Sequence, residues 1–166
     1  MQLIEMSAGG TIAIDVIAWA FFHILISFLM ERVPASHFHQ DTFFLQSQPW
    51  EDHGELWEKI FRVKRWKHLI VDGTTIIQKG FEKNSLAGNK REYLEEFLLE
   101  SRRAELTHWI SILPAPLFFL WNPVWAGWIM IAYACLFNGP IIMAQRYNRP
   151  RLKKIIQRKA RILTKE

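Results

Sequence analysis

Residues 107–144 read THWISILPAPLFFLWNPVWAGWIMIAYACLFNGPIIMA, an apolar block that Trp121-Asn122-Pro123 interrupts. Asn-Pro is a turn signal, so the block predicts a helical hairpin. Its first arm is barely long enough to cross a bilayer, and a re-entrant or interfacial hairpin is therefore the alternative. We expect the prolines of the block to kink its arms, namely Pro114, Pro116 and Pro140.

A second apolar run covers residues 11–30, and about twenty such residues are enough to cross the hydrocarbon core. No Lys or Arg precedes it and no small-residue cleavage site follows, so we expect an anchor that is retained. Asp15 and His23 lie eight residues apart inside the run, roughly on one face of the expected helix.

Composition supports a membrane protein. The 166 residues have the length of one domain, half of them are hydrophobic, and eight are Trp. Trp favours the headgroup layer, and a net charge of +5 suits an anionic leaflet. The sequence contains no nucleic-acid motif, and Cys135 alone cannot form an intrachain disulfide. The histidines near residues 37–53 lack the spacing of a metal site, so no metal is expected.

Charge predicts the direction of the chain. The residues before Thr11 carry only Glu5, whereas the middle segment and the tail are rich in Lys and Arg. The positive-inside rule then places the N-terminus outside and both basic segments in the cytoplasm. We therefore predict an all-α integral membrane protein with about three transmembrane helices plus a cytoplasmic or interfacial helical segment. The single domain, residues 1–166, divides into transmembrane helix 11–30, cytoplasmic or interfacial segment 31–106, transmembrane hairpin 107–144 and basic cytoplasmic tail 145–166.

The middle segment has its own pattern. Residues 55–67 mix aromatic and basic side chains, which is typical of a helix on a membrane surface, although a soluble surface helix fits as well. Residues 81–90 are polar and Gly-containing and predict a loop. Residues 91–106 show helical periodicity and are expected to run into the hairpin without a break.

Glu105 and His108 are three residues apart on this predicted helix, so their side chains are neighbours. A carboxylate can hold a neutral imidazole in one tautomer, which is the arrangement that deprotonates a hydroxyl. An interfacial pair that only satisfies itself is the plainer interpretation, because a two-residue motif is weak.

His68 and Asp72 are four residues apart and would also face each other on a helix. The spacing is close to, but not the same as, the His-x4-Asp box of glycerolipid acyltransferases. A turn at Asp72-Gly73 with a surface histidine fits equally well.

Several polar residues follow the last apolar run. Arg146 and Arg149 offer forked donors for phosphate, and Asn148 lies between them. They could hold a phosphopantetheine or nucleotide carrier, or simply lipid headgroups. Arg103 is most simply part of a solvated helix face, and pairing with the tail or a substrate is the other interpretation.

Three segments together resemble one family. The chain is similar to the glycosyl-4,4'-diaponeurosporenoate acyltransferase family in residues 103–114, in residues 145–152, and in Arg65–His68 with Asp72-Gly73. Smaller matches are Arg32, Pro34, Glu51, His53-Gly54 and Trp57. The resemblance runs from Arg32 to Leu152, and the first apolar helix matches only in being apolar.

The resemblance implies a bacterial cell-membrane O-acyltransferase acting late in staphyloxanthin-type carotenoid synthesis. It esterifies a fatty acyl group onto the sugar C6 hydroxyl of a glycosylated C30 carotenoid acid. The implied partners are the bilayer, the glycosylated carotenoid and a fatty acyl donor, which is acyl-CoA or acyl carrier protein. Other carotenoid-synthesis enzymes are open as partners, and no cofactor or nucleic acid is expected.

Chemistry, guided by the matching segments, assigns the roles. His108 is the first choice for the general base, with Glu105 orienting it, and His68 with Asp72 is the second choice or the other half of one site. The residues expected to bind substrate or donor are Arg103, Arg146, Asn148, Arg149, Trp109 and Trp66. The alternatives are a non-enzymatic membrane adaptor and a group-transfer enzyme with another lipid acceptor.

Overall fold

The computed structural model describes residue 4, residues 6–70 and residues 90–163, and every regular element in these ranges is a helix. The α-helices, α1 to α5 in chain order, are Ala8–Arg32, Glu55–Phe61, Val63–Trp66, Lys90–Ile112 and Val124–Leu163. Short 3-10 helices cover Ala35–Phe38, Pro49–Gly54, Lys67–Leu69 and Ala115–Leu120. The all-α class is therefore confirmed. The loop predicted for residues 81–90 lies, apart from Lys90, outside the described residues.

Helix α1 matches the predicted anchor and extends it at both ends. It begins after Ser7, whose Oγ accepts a hydrogen bond from the Gly10 amide at 3.2 Å. It ends at Arg32, and Val33 is extended because the residue before a proline avoids the helical region. Its apolar side chains lie on all faces and most of them are exposed, as in Ile24 at 71%. A helix that is apolar all round and exposed fits a lipid environment.

Two helices in the described residues, rather than the three expected, are long and apolar enough to cross a membrane: Ala8–Arg32 and Val124–Arg158. The first arm of the hairpin is not a single helix. Helix α4 ends at Ile112, and a 3-10 helix begins at Ala115 after Pro114. Pro114 and Pro116 lack the N–H groups that a continuous α-helix needs.

Helix α5 is longer than the sequence predicts. It continues through Pro140 and Pro150 to Leu163, so the basic tail begins as part of the same helix. The predicted helix at residues 91–106 also runs on, as expected, to Ile112 within α4.

The chain folds as two compact units. We call the first the apolar unit, which comprises Met1–Pro34 and Leu106–Pro140, and the second the polar unit, which comprises Ala35–Glu105 and Ile141–Glu166. Helices α4 and α5 contribute residues to both units.

The core of the apolar unit is aromatic. Trp19, Phe118 and Ala134 are its buried centre, and the Trp19 and Phe118 rings stack at 4.6 Å between centroids. Gly127 of α5 lies against Phe119, where a Cβ atom would come within 2.4 Å of the ring. The absence of a side chain at Gly127 therefore lets the 3-10 helix pack closely against α5.

The core of the polar unit forms around Val63, Ala144 and Tyr147. Gly54 lies beside them with φ at +89°, and a Cβ atom there would be 3.1 Å from the Arg146 carbonyl oxygen. A glycine is required here both by the left-handed backbone and by the close approach to α5.

Candidate functional site

The first candidate is a histidine held by an amide in the apolar unit. His108 Nδ1 lies 2.8 Å from Asn138 Oδ1, which brings the end of α4 together with α5. Asn138 is fully buried, and its Nδ2 donates to the Ala134 carbonyl one turn earlier at 2.9 Å.

The second hydrogen bond of Asn138 decides the tautomer of His108. If the amide were turned over, its oxygen would face the Ala134 carbonyl oxygen, which is also an acceptor. Oδ1 therefore faces the ring and accepts from His108 Nδ1–H, so that in the neutral ring the lone pair is on Nε2. An imidazole in this tautomer is suited to take a proton from a hydroxyl.

A second histidine belongs to the same unit. His23 of α1 is close enough to His108 to interact with it electrostatically. Its ring stacks on Trp19 at 5.5 Å and lies 5.4 Å from the Phe137 ring. His23 Nε2 is buried and has no hydrogen-bond partner among the described residues. A buried nitrogen without a hydrogen-bond partner lowers stability, so a ligand group that hydrogen-bonds to His23 Nε2 would be favoured.

The second candidate is a buried ion network in the polar unit. Arg146 donates from Nε to Glu105 at 2.7 Å and from Nη1 to Glu51 at 2.9 Å. Its Nη2 donates to the Phe44 carbonyl at 2.7 Å. Glu51 also accepts hydrogen bonds from the backbone N–H of Gln48 at 2.7 Å and from Trp57 Nε1 at 3.0 Å.

Arg149 completes this network. It donates to the second oxygen of Glu105, to the Leu45 carbonyl and to the Ser101 carbonyl. Arg149 is 2% exposed and Glu105 0%. The two buried arginines, Arg146 and Arg149, thus neutralise the two buried glutamates, Glu51 and Glu105, and each of the four makes hydrogen bonds.

This geometry assigns the expected site residues to different places. Glu105, predicted to orient His108, accepts from Arg146 and Arg149, while Asn138 meets His108 Nδ1. The guanidinium groups predicted to hold the donor are directed to internal acceptors. The network therefore braces the loop before α2 against α4 and α5, and a role for it in substrate binding stays a prediction.

The remaining expected residues lie elsewhere in the polar unit. Asn148 Oδ1 accepts from Lys67 at 2.7 Å, and Arg103 pairs with Glu100 at 3.1 Å. Trp66 Nε1 donates to the Phe61 carbonyl at 2.8 Å. His68 is exposed in the 3-10 helix Lys67–Leu69.

Two expected residues remain to be placed. Asp72 lies outside the described residues, so the pairing expected with His68 is untested. Trp109 belongs to the apolar unit and is half-buried in α4, one residue after His108.

A further ion cluster was not foreseen. Asp41 pairs with Arg102 at 2.8 Å and with Lys153. Burial alone would raise the pKa of Asp41, but the hydrogen bonds and charges of Lys153 and Arg102 outweigh it and lower that pKa below its usual value.

Sequence reasoning missed Asn138 and Asp41. Asn138 has a recognisable signal, because it is an amide inside an apolar run and such a group must find a partner. Asp41 has none, since its partners are 61 and 112 residues away. Among the described residues, no three His, Cys, Asp or Glu side chains are placed to hold a metal ion.

Comparison with known proteins identifies the class. Residues 40–158 match the family described as glycosyl-4,4'-diaponeurosporenoate acyltransferase. Proteins of that name from Staphylococcus aureus strains USA300 and Newman are 39% identical over 139 residues, 84% of this chain and 84% of each relative. The protein of strain N315 is 38% identical over the same lengths. No solved structure matches the chain.

These likenesses define the chain first as an acyltransferase. It belongs to the glycosyl-4,4'-diaponeurosporenoate acyltransferase family.

Proposed function

We propose that this chain is a membrane O-acyltransferase that moves a fatty acyl group onto the sugar C6 hydroxyl of a glycosylated C30 carotenoid acid. This would be the last step of a staphyloxanthin-type synthesis. Family membership supports the reaction class and the acceptor, because the relatives are named for a glycosyl-4,4'-diaponeurosporenoate acyltransferase activity.

The observation that carries the mechanism is the hydrogen bond between His108 Nδ1 and Asn138 Oδ1. It sets the lone pair on Nε2 and leaves the amide oxygen to stabilise the imidazolium that forms. Asn138 here takes the role of the carboxylate that orients the histidine in a Ser-His-Asp triad. A neutral amide suits an apolar unit, because no charge has to be buried when the ring is neutral.

The reaction follows in two proton transfers. His108 Nε2 accepts the proton of the C6 hydroxyl as that oxygen attacks the thioester carbonyl carbon. The tetrahedral intermediate collapses, the carbon–sulfur bond breaks, and the imidazolium returns the proton to the leaving thiolate. The products are the sugar ester and the free thiol of the carrier. Direct transfer is favoured because the sequence around its Ser and Cys residues contains no recognisable nucleophile motif.

The donor and the other binding residues belong to the proposal. Acyl-CoA and acyl carrier protein are both suitable thioester donors, and no further cofactor is required. His68, Asp72 and the predicted binding residues remain candidates for holding substrate or donor: Arg103, Arg146, Asn148, Arg149, Trp66 and Trp109.

We place the protein in the bacterial cell membrane with the N-terminus outside and the tail in the cytoplasm. The exposed apolar surface of α1 and the apolar first half of α5 support this location. A hairpin that enters through residues 106–120 and returns along α5 keeps both basic segments on the cytoplasmic side. Both substrates are amphipathic, so their polar ends can meet at headgroup depth.

The experiment is a turnover assay of the purified protein in liposomes, with glycosylated carotenoid acid and either acyl-CoA or acyl carrier protein. Mass spectrometry of the products should reveal one added acyl group on the sugar. Folded protein that transfers nothing from either donor would instead favour another lipid acceptor or an adaptor role.

A further inference from the structure

A groove runs along α1 in the apolar unit. Its volume is about 530 Å³, within the range of small-molecule sites. Ile12, Val16 and Trp19 of α1 form one wall, and Met130 and Tyr133 of α5 form the other. The walls are apolar and recur at helical spacing, so the groove is elongated in the direction of α1.

His23 lies at one end of this groove. It is the histidine that interacts with His108, and its Nε2 has no hydrogen-bond partner among the described residues. A polar ligand atom at this end of the groove could give His23 Nε2 the partner that it lacks.

Asp15 lines the groove eight residues before His23, and Ile12 lines it about one helical turn beyond Asp15. Its Oδ1 accepts from Trp121 Nε1 and from Asn122 Nδ2, both at 2.7 Å. Asp15 also lines a second cavity of about 430 Å³, which continues towards Met6 and Trp125. Asp15 is thus the charged residue among the four that line both cavities, the others being Ile12, Ile129 and Met130.

We propose that the groove holds the acyl chain of the donor and that Asp15 sets the longest chain that fits. This rests on the proposed function. The thioester carbonyl lies at the His23 end, and the chain extends towards Asp15, eight residues or about 12 Å along the helix. A longer chain would press its apolar end against a polar group, and desolvating that group is unfavourable.

The groove suits an acyl chain better than the sugar. The sugar has to reach His108 with its C6 hydroxyl, and the groove walls offer it apolar and aromatic groups almost throughout. A saturated chain needs no hydrogen bonds and can enter from the bilayer, because Ile12, Val16 and Ile129 are more than half exposed.

The test measures product distribution when the enzyme receives an equimolar series of acyl donors of increasing chain length. Ala20→Trp narrows the groove at an exposed position that the core does not use. We expect its optimum to move to shorter chains, with roughly tenfold discrimination for each excess methylene. Ala13→Trp, on the same helix but outside the groove, is the matched control and should keep the wild-type profile.

Asp15→Leu provides the opposite change and should move the optimum to longer chains. Asp15→Asn retains an acceptor for Trp121 and Asn122, so it should move the optimum less and serves as the variant if Asp15→Leu fails to fold.

Unchanged profiles in active Ala20→Trp and Asp15→Asn would overturn the assignment. A raised KM for the carotenoid with an unchanged chain profile would also overturn it and place the polyene in the groove. Wild-type protein that transfers no chain would reject the proposed function instead.

Discussion

At the scale of the residue, the ring of His108, the proposed base, is held by a partner thirty positions away in the sequence. Asn138 can orient His108 because its own Nδ2 is engaged by the Ala134 carbonyl, which prevents the amide from turning over. An amide that is fixed in this way acts as a pure acceptor towards the imidazole.

Replacing His108 with Ala should lower acyl transfer by at least a hundredfold, because general-base catalysis contributes that much. Asn138→Leu keeps the volume but loses the orienting acceptor, and we expect a smaller fall in kcat, on the order of tenfold. Steady-state assays of liposome-inserted protein measure both. Cys135→Ala is the control, because Cys135 is exposed on α5, the helix of Asn138. Full activity of His108→Ala would remove His108 from the mechanism.

Glu105 is expected to matter for stability, because it accepts hydrogen bonds from both buried arginines, Arg146 and Arg149. Glu105→Gln leaves Arg146 and Arg149 short of countercharge, and we expect the free energy of unfolding to fall by about 3–5 kcal/mol. Glu55→Gln removes an exposed pair with Arg151 and should cost less than about 1 kcal/mol. Denaturation in detergent compares the two variants, and equal losses would contradict the bracing role.

Asp41 predicts how stability depends on pH. Its pKa is lowered in the folded state, so its contribution is present above the unfolded pKa and is lost as pH falls through the folded value. Asp41→Asn should therefore lower stability by about 1–2 kcal/mol at neutral pH. The difference from the wild type should shrink below about pH 4. Thermal unfolding at several pH values measures it, and a difference that is independent of pH would refute the argument.

At the scale of the element, the entry to α2 depends on backbone conformation. Asp52, His53 and Gly54 all have positive φ, and Gly54 also fits against carbonyl groups of α5. Such positions persist only when the surrounding contacts hold them. Here Glu51 of the same loop accepts a hydrogen bond from Arg146 of α5, and this contact holds the loop in place.

Gly54→Ala should destabilise the protein by more than about 1 kcal/mol, because the added Cβ is strained by φ and meets the backbone of α5. Gly9→Ala on α1 is the matched control, since nothing lies within 4 Å of its Cβ position. The same substitution there should be neutral or slightly stabilising. Melting temperatures of the two variants in one detergent decide the matter, and similar shifts would count against the close approach at Gly54.

At the scale of the whole molecule, charge and exposed apolar surface predict its position in a bilayer. The test uses a Cys135→Ser background with a single new cysteine at Gly9 or Lys154, both exposed positions. A membrane-impermeant thiol reagent should label Gly9→Cys in intact cells and label Lys154→Cys only after permeabilisation. Labelling of both positions in intact cells would reject the proposed orientation.

Much of the fold was predictable because it depends on local pattern. Apolar length defined α1, periodicity defined α4, and Asn122-Pro123 marked the turn before α5. The number of spanning helices was not predictable. The same prolines that were expected to kink both arms break the first one at Pro114, whereas α5 continues past Pro140.

The candidate site residues stay a prediction, and the structure adds partners that the sequence did not indicate. Their spacing along one helix predicts that Glu105 and His108 are neighbours, since side chains at i and i+3 face the same side. In the structure Glu105 accepts from the guanidinium groups of Arg146 and Arg149, and His108 Nδ1 donates to the Asn138 amide oxygen. A carboxylate out of water is stabilised best by full charges with hydrogen bonds, and those came from α5.

The sequence by itself determined an all-α chain with apolar helices, its family, and the histidine that is the leading candidate for the base. These follow from hydrophobic length, charge distribution and local motifs, which act over a few turns of chain. Only the tertiary structure decided which groups pair: Asn138 with His108, Glu105 with Arg146 and Arg149, and Asp15 with Trp121 and Asn122. The physical reason is that a buried polar group must find a partner, and which partner is within reach depends on how the helices pack.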